Sequence, residues 1–237
     1  MTMHLRPARL SAFLGALLVL FSVFTHSGAD AAKKTEKPAR PSEPLAQDTS
    51  LNNLKDAPKA PPLACDGPFG KDTTHTKLVT EFGAKNVVFK DVAVISDVKT
   101  QASIVFDEDP TKRVVVYWKD SKTRTKPASV SIEAPSTWTG PGGVRNGLTL
   151  KDLEKLNGGG FSMTGFGSIG GGEISGLKGP LADVPGDCTL KIKLEPGIAN
   201  PLPPRFAPVT GDQLIPSKNL VLRRVRPQVS QWSVNYR

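Results

Sequence analysis

Cys188-Thr189-Leu190-Lys191-Ile192-Lys193-Leu194 decides the fold class. Its apolar members, Cys188, Leu190, Ile192 and Leu194, fall at every second position, with Thr189, Lys191 and Lys193 between them. Successive side chains of a strand point to opposite faces, so one face of this stretch is set against a core and the other meets water. That pattern belongs to a half-exposed antiparallel strand, since parallel strands are buried on both faces and read as continuous apolar runs.

Upstream, strand-like stretches run from Val87 to Val92, Ala102 to Phe106, Arg113 to Trp118 and Val130 to Ala134. Polar turns such as Asp107-Glu108-Asp109-Pro110 separate them. Phe161 to Phe166 and a short piece near Glu173 to Leu177 add two more. Two short helices interrupt the strands. Asp72 is the expected N-cap of the first, which carries His75, Leu78, Val79 and Phe82 on one face and stops at Gly83. The second spans Leu150 to Leu156, capped by Thr149 with Asp152 three residues on and ended by Asn157-Gly158. The expected fold is therefore α+β, an antiparallel sheet with two short helices. A slide of 74 residues lays Val79, Phe82, Gly83, Val87 and Phe89 over Leu153, Leu156, Asn157, Phe161 and Met163. Two tandem helix-plus-sheet repeats, 69–134 and 143–195, are the reading this alignment favours, although the strand portions align poorly.

The globular part is expected to occupy 63–237. Residues 32–62 hold Lys, Pro, Ala, Glu and Gln without an aromatic residue, a composition unable to bury enough apolar surface to order itself, and read as a disordered tether. Ahead of it, His4, Arg6 and Arg9 form a basic start, Ser11 to Phe24 an apolar stretch, and Ala29 and Ala31 an A-x-A site. This is the three-part order of a secretory signal, 1–31, too short for a comfortable membrane span. No other segment could cross a bilayer. The expected location is periplasmic or secreted, and without an Arg-Arg pair in the basic region the chain is expected to be exported unfolded.

Cys65 and Cys188 are the two cysteines of the chain. An oxidising compartment favours a bridge between them, with two free thiols as the alternative. Removal of 1–31 takes Arg6, Arg9 and Asp30 from totals of 31 basic and 22 acidic side chains, leaving 29 and 21 and a net charge of +8. A basic exported protein suits an envelope protein or an anionic envelope surface as partner, and nucleic acid is not expected.

Elimination carries the reading of chemistry. His4 and His26 lie in the signal, so the mature chain holds His75 alone, which removes most Ser-His triads and multi-histidine metal sites. His75 shares a face with Leu78 and Phe82 and reads as a packing residue. Gly165, Gly167 and Gly170 spell G-x-G-x-x-G, but Gly171 and Gly172 follow where a nucleotide fingerprint needs a helix, so a hairpin or bulge is expected. Asp107, Glu108 and Asp109 lack the spaced ligands of a calcium loop. Asp152 and Glu154 sit two apart on a helix and cannot form a glycosidase pair. Arg223, Arg224, Arg226 and Arg237 make a basic cluster that reads as a solvated final strand, with contact to an anionic surface as the alternative. No catalytic residue, metal site or cofactor is expected.

Trp138-Thr139-Gly140, Gly147-Leu148-Thr149-Leu150 and Asp152 to Gly158 resemble a family of uncharacterised exported bacterial proteins. That family carries a tryptophan, then a glycine, then L-x-x-L-N-G-x-x-F, between two flanking cysteines. The resemblance covers about 65–235 and implies compartment and layout, with no activity to carry over. The chain departs from it at Gly167-Ser168-Ile169, where the family has an aromatic and an Asp side by side. The layout is also similar to the tandem helix-plus-sheet modules of the β-lactamase inhibitory protein type, which are binders.

The expected function is non-enzymatic binding of another macromolecule in the cell envelope; the alternative is an envelope hydrolase using Asp, Glu or Ser chemistry. Lys191 and Lys193, turned away from the core, are candidate contacts. Trp138 lies in a loop with Thr137, Thr139, Gly140 and Pro141, where a large aromatic is either a lid over the core or a binding anchor.

Overall fold

A computed structural model describes residues 62–95 and 98–237. The expected signal, 1–31, and the expected tether up to position 61 lie outside the described residues. The elements in chain order are α1 (His75–Phe82), β1 (Val87–Ile95), β2 (Val98–Val105), β3 (Val114–Asp120), β4 (Thr125–Glu133), α2 (Leu150–Leu156), β5 (Ser162–Thr164), β6 (Ile174–Ser175), β7 (Cys188–Glu195), β8 (Leu214–Pro216), α3 (Leu220–Val225) and β9 (Gln228–Tyr236). Six strands form one antiparallel sheet in the order β1-β2-β3-β4-β9-β7, and three form a small antiparallel sheet, β6-β5-β8. The fold is α+β.

The alternation in β7 is realised as read: Cys188, Leu190, Ile192 and Leu194 are buried and the residues between them are not. β7 pairs on one side with β9, and among the described residues its other side meets the β5–β6 hairpin, through a bridge of Lys193 to Glu173 and Leu194 N–H to Gly172 O at 2.9 Å. α2 also forms as read, with a full capping box in which the Thr149 hydroxyl accepts from the Asp152 amide and Asp152 accepts from the Thr149 amide. Such a cap satisfies amides that a helix of this length cannot pair internally.

Three local readings change. The cap of α1 is Thr74, whose hydroxyl accepts from the Lys77 amide, and Asp72 stands two residues ahead of the cap position. The C-terminal stretch is no solvated strand. Arg223 and Arg224 belong to α3, where the Asn219 side chain accepts from the amides of Val221 and Leu222 and the helix buries Leu222 and Val225. β9 lies between β4 and β7 with Trp232, Val234 and Tyr236 inside. The spans 69–134 and 143–195 both open with a capped helix, but different strands follow. α1 leads into the consecutive strands β1 to β4 of the large sheet, whereas α2 leads into β5 and β6 of the small one before β7 reaches the large sheet's edge.

The main core lies on the inner face of the large sheet, where Val105, Val116, Val130, Ile132, Trp232 and Val234 meet Leu78 of α1, Leu153 of α2, Leu222 of α3 and Met163 of β5. Burying a side chain of this size fully contributes about 1.5–3 kcal/mol. Cys65 and Cys188 form a disulfide across a Cα–Cα distance of 6.3 Å and a separation of 123 residues. A loop of that length restricts the unfolded chain by roughly 4–5 kcal/mol in the chain-entropy account.

Candidate functional site

The outward-facing positions of the large sheet line up across all six strands. One row runs Val88, Ile104, Val115, Ser131, Ser233, Lys191, and the next Lys90, Ala102, Tyr117, Ser129, Asn235, Thr189. Directly opposed cross-strand residues share a face, so these rows are a physical surface and not merely a list. The surface changes character across the sheet. Over β1 to β3 it is apolar apart from Lys90 and Thr100, and Ala102, Ile104 and Val115 are buried beneath Val92 and Tyr117. Over β4, β9 and β7 it carries hydroxyl, amide and ammonium groups and the Glu133 carboxylate.

A hollow of about 490 Å³ lies at the junction, lined among others by Thr100, Tyr117, Ser129, Ser131, Glu133 and Gln231. Gln231 donates to the Ser131 hydroxyl at 2.8 Å and to Glu133 at 3.3 Å, while Asn235 donates to Ser233 at 3.1 Å. These bonds hold the amides in place against the hydroxyls, with Ser131 buried and Ser129 and Ser233 half-buried. Burial raises the Tyr117 phenol above its ordinary pKa, with Glu133 adding to the shift, so it remains a neutral donor. Lys191 and Lys193 stand opposite Ser233 and Gln231 at the edge of this polar half, Lys191 exposed and Lys193 half-buried. A smaller hollow of about 80 Å³ between Glu173, Lys191, Lys193 and Gln231 continues the surface to the sheet edge.

Trp138 is not on this face. It is 5% exposed within the main core, donates its indole N–H to the Lys112 carbonyl at 2.8 Å and meets Phe69 edge-on at 5.8 Å. Of the two readings of this residue, the lid over the core is the one whose geometry is present. The neighbouring Gly140 has a packing reason too: a Cβ there would lie 2.5 Å from the Trp232 ring.

His75 Nδ1 lies 2.8 Å from the Ser103 hydroxyl, which also accepts from the Trp118 indole at 2.9 Å. With Trp118 as donor, the Ser103 hydroxyl keeps both a proton to give and a lone pair to accept with, so either sense of the His75 contact satisfies it. Burial lowers the His75 pKa, and the nearby Arg124 guanidinium lowers it further. A Ser beside a His invites a hydrolase reading, but Ser103 is 0% exposed and no substrate atom can reach it. His75 also meets Phe89 edge-on at 5.9 Å, the packing role expected of it.

The glycine-rich segment is a hairpin loop between β5 and β6. A Cβ at Gly172 would stand 2.0 Å from the Leu194 carbonyl and one at Gly165 2.5 Å from the Gly211 carbonyl, so close backbone approach accounts for both. Asp107 is taken up by Lys90 at 2.6 Å and Arg113 at 3.5 Å, and Asp109 by Lys112 and Thr111, which makes the acidic run a polar turn. Among the described residues, no three His, Cys, Asp or Glu side chains come together, and no helix is long and apolar enough to cross a membrane.

The hydroxyl row lies on β4, which is longer than the expected Val130–Ala134 strand, and on β9, which is buried between two neighbours where a solvated strand is expected. Its signal was present in the alternation of Ser129, Ser131 and Glu133 with Val130 and Ile132, and of Gln231, Ser233 and Asn235 with Trp232, Val234 and Tyr236. Compared with protein-family models, curated proteins and solved structures, the chain matches none.

Proposed function

We propose that this chain is a non-enzymatic binding protein of the cell envelope, engaging an acidic protein partner on the polar half of the large sheet's outer face. The observation that carries this reading is the ordered row of hydroxyl and amide groups around the 490 Å³ hollow, edged by Lys191 and Lys193. A hollow with converging polar groups on a rigid sheet recognises its ligand without paying to order it. The net positive charge favours encounter with an acidic surface. The disulfide and the secretory order of the first 31 residues support export. The sealed Ser103–His75 contact supplies nothing to the hydrolase alternative.

Crosslinking in intact cells tests this reading. The wild-type protein is expected to recover a defined partner, and Lys191→Glu with Lys193→Glu, folded by circular dichroism, is expected to lose it. Equal recovery by the folded double variant, or capture by anionic vesicles with no protein partner, would overturn it.

A further inference from the structure

A second concavity, on the helical side of the molecule, has a different chemistry. It lies between α2 and the turn that joins α3 to β9, has a volume of about 440 Å³, and is lined among others by Leu150, Lys151, Glu154, Arg223, Arg226 and Pro227. Leu150 and Pro227 are buried, and most of the wall is carbon. The rim is cationic. Glu154 is the one carboxylate in the lining, and it already accepts from the Ser217 hydroxyl at 2.6 Å and from Arg223 at 3.1 Å. Among the described residues, Lys151 and Arg226 form no ion pair.

Arg226 has a second peculiarity. It closes α3 in the left-handed region, at φ 52 and ψ 52, where Gly is the usual residue. The surroundings hold it there: the Gly197 amide donates to the Val225 carbonyl, and a Cβ on Gly197 would stand 2.2 Å from the Arg226 carbonyl. A non-glycine residue kept in such a conformation at the mouth of a cleft points to a use for its side chain.

We infer that this cleft binds a free acyl carboxylate, the chain lying on Leu150 and Pro227 and the carboxylate meeting Lys151 and Arg226. The volume lies within the range of small-molecule sites. An unbalanced cationic rim above an apolar floor is complementary to a molecule with one anionic end and no other polar demand. A peptide fits less well, because the backbone beside the cleft is already paired: Thr149 bridges Gln228, and the Val229 amide donates to the Leu148 carbonyl. This inference does not rest on the sheet face: the cleft shares only β9 with it, through Gln228, and none of the residues lining that face.

The test is an amide-resolved NMR titration of the folded protein with octanoate, 1-octanol and acetyl-Ala-Leu. Octanoate is expected to shift the amides of Leu150, Lys151 and Gln228, with 1-octanol and the dipeptide about tenfold weaker, as befits loss of a charge-assisted contact or of a fitting chain. Lys151→Gln and Arg226→Gly should each weaken octanoate several-fold, and Arg226→Gly should keep or raise the melting temperature because Gly accepts the left-handed backbone. Lys151→Gln, on an exposed helical position, serves alone if Arg226→Gly does not fold. Absence of shifts at those amides, equal affinity for 1-octanol, unchanged affinity in the variants, or preference for the dipeptide would each overturn the assignment.

Discussion

The two faces of the large sheet use the same residue types to opposite ends. On the inner face, Ser103 is wholly enclosed and its hydroxyl is committed to Trp118 and His75. On the outer face, Ser129 and Ser233 are half-buried beside a hollow, with hydroxyl capacity left over. One strand alternation sends hydroxyls to both sides, and what separates a structural Ser from a candidate contact is whether a helix is packed above it. α1 covers Ser103 through His75, while Ser233 stays half-buried beside the hollow with the Asn235 amide against it.

This contrast can be broken at adjacent residues of β9. Trp232 points inward at 1% exposure, and Trp232→Ala is expected to cost about 3–5 kcal/mol, measured by chemical denaturation. A loss under about 1 kcal/mol would mean that the inner face is not the load carried by the core. The His75 contact should give a smaller, pH-dependent effect. Because its folded pKa lies below the ordinary 6.5, the unfolded chain binds the proton more readily, so stability is full above pH 6.5 and declines as the pH falls toward the lowered folded value. His75→Gln should flatten the melting temperature between pH 5 and 7, taken as a rough window about the ordinary His value. Identical slopes for both proteins would sever the imidazole from the core. Smallest of all, Ser233→Ala on the outer face should change stability by no more than about 0.5 kcal/mol. A loss several times larger would place that face under a cover.

The class of fold was readable because β7 and α2 advertise themselves locally. Four apolar residues at period two and a Thr-x-x-Asp cap need no distant partner to be recognised. The Cys65–Cys188 pair was readable by elimination, since the chain has no other cysteine. The rest depended on distant contacts. Trp138 could be a lid or an anchor until Phe69 and the Lys112 carbonyl, far away in sequence, met it. α3 was hidden because six residues with two arginines show too little periodicity, and its start depends on two bonds from the Asn219 side chain. The outer row joins residues from six strands, and no single stretch contains it. The cleft likewise exists only where α2 meets the end of α3, although its arginines were visible as a cluster.

The strand order has a consequence for how the chain acquires its shape. β4 and β7 share no edge; β9 lies between them, pairing Ser129 with Asn235 on one side and Thr189 with Asn235 on the other. The meander from β1 to β4 can zip up locally, since each strand follows its neighbour. The remaining third of the sheet must wait for β9, the last of the described strands, to close a long loop before any of its pairings is rewarded. Until then the β4 edge stays open, with Val130 and Ile132 beside it. That edge is a template for pairing with another chain for as long as β9 takes to arrive.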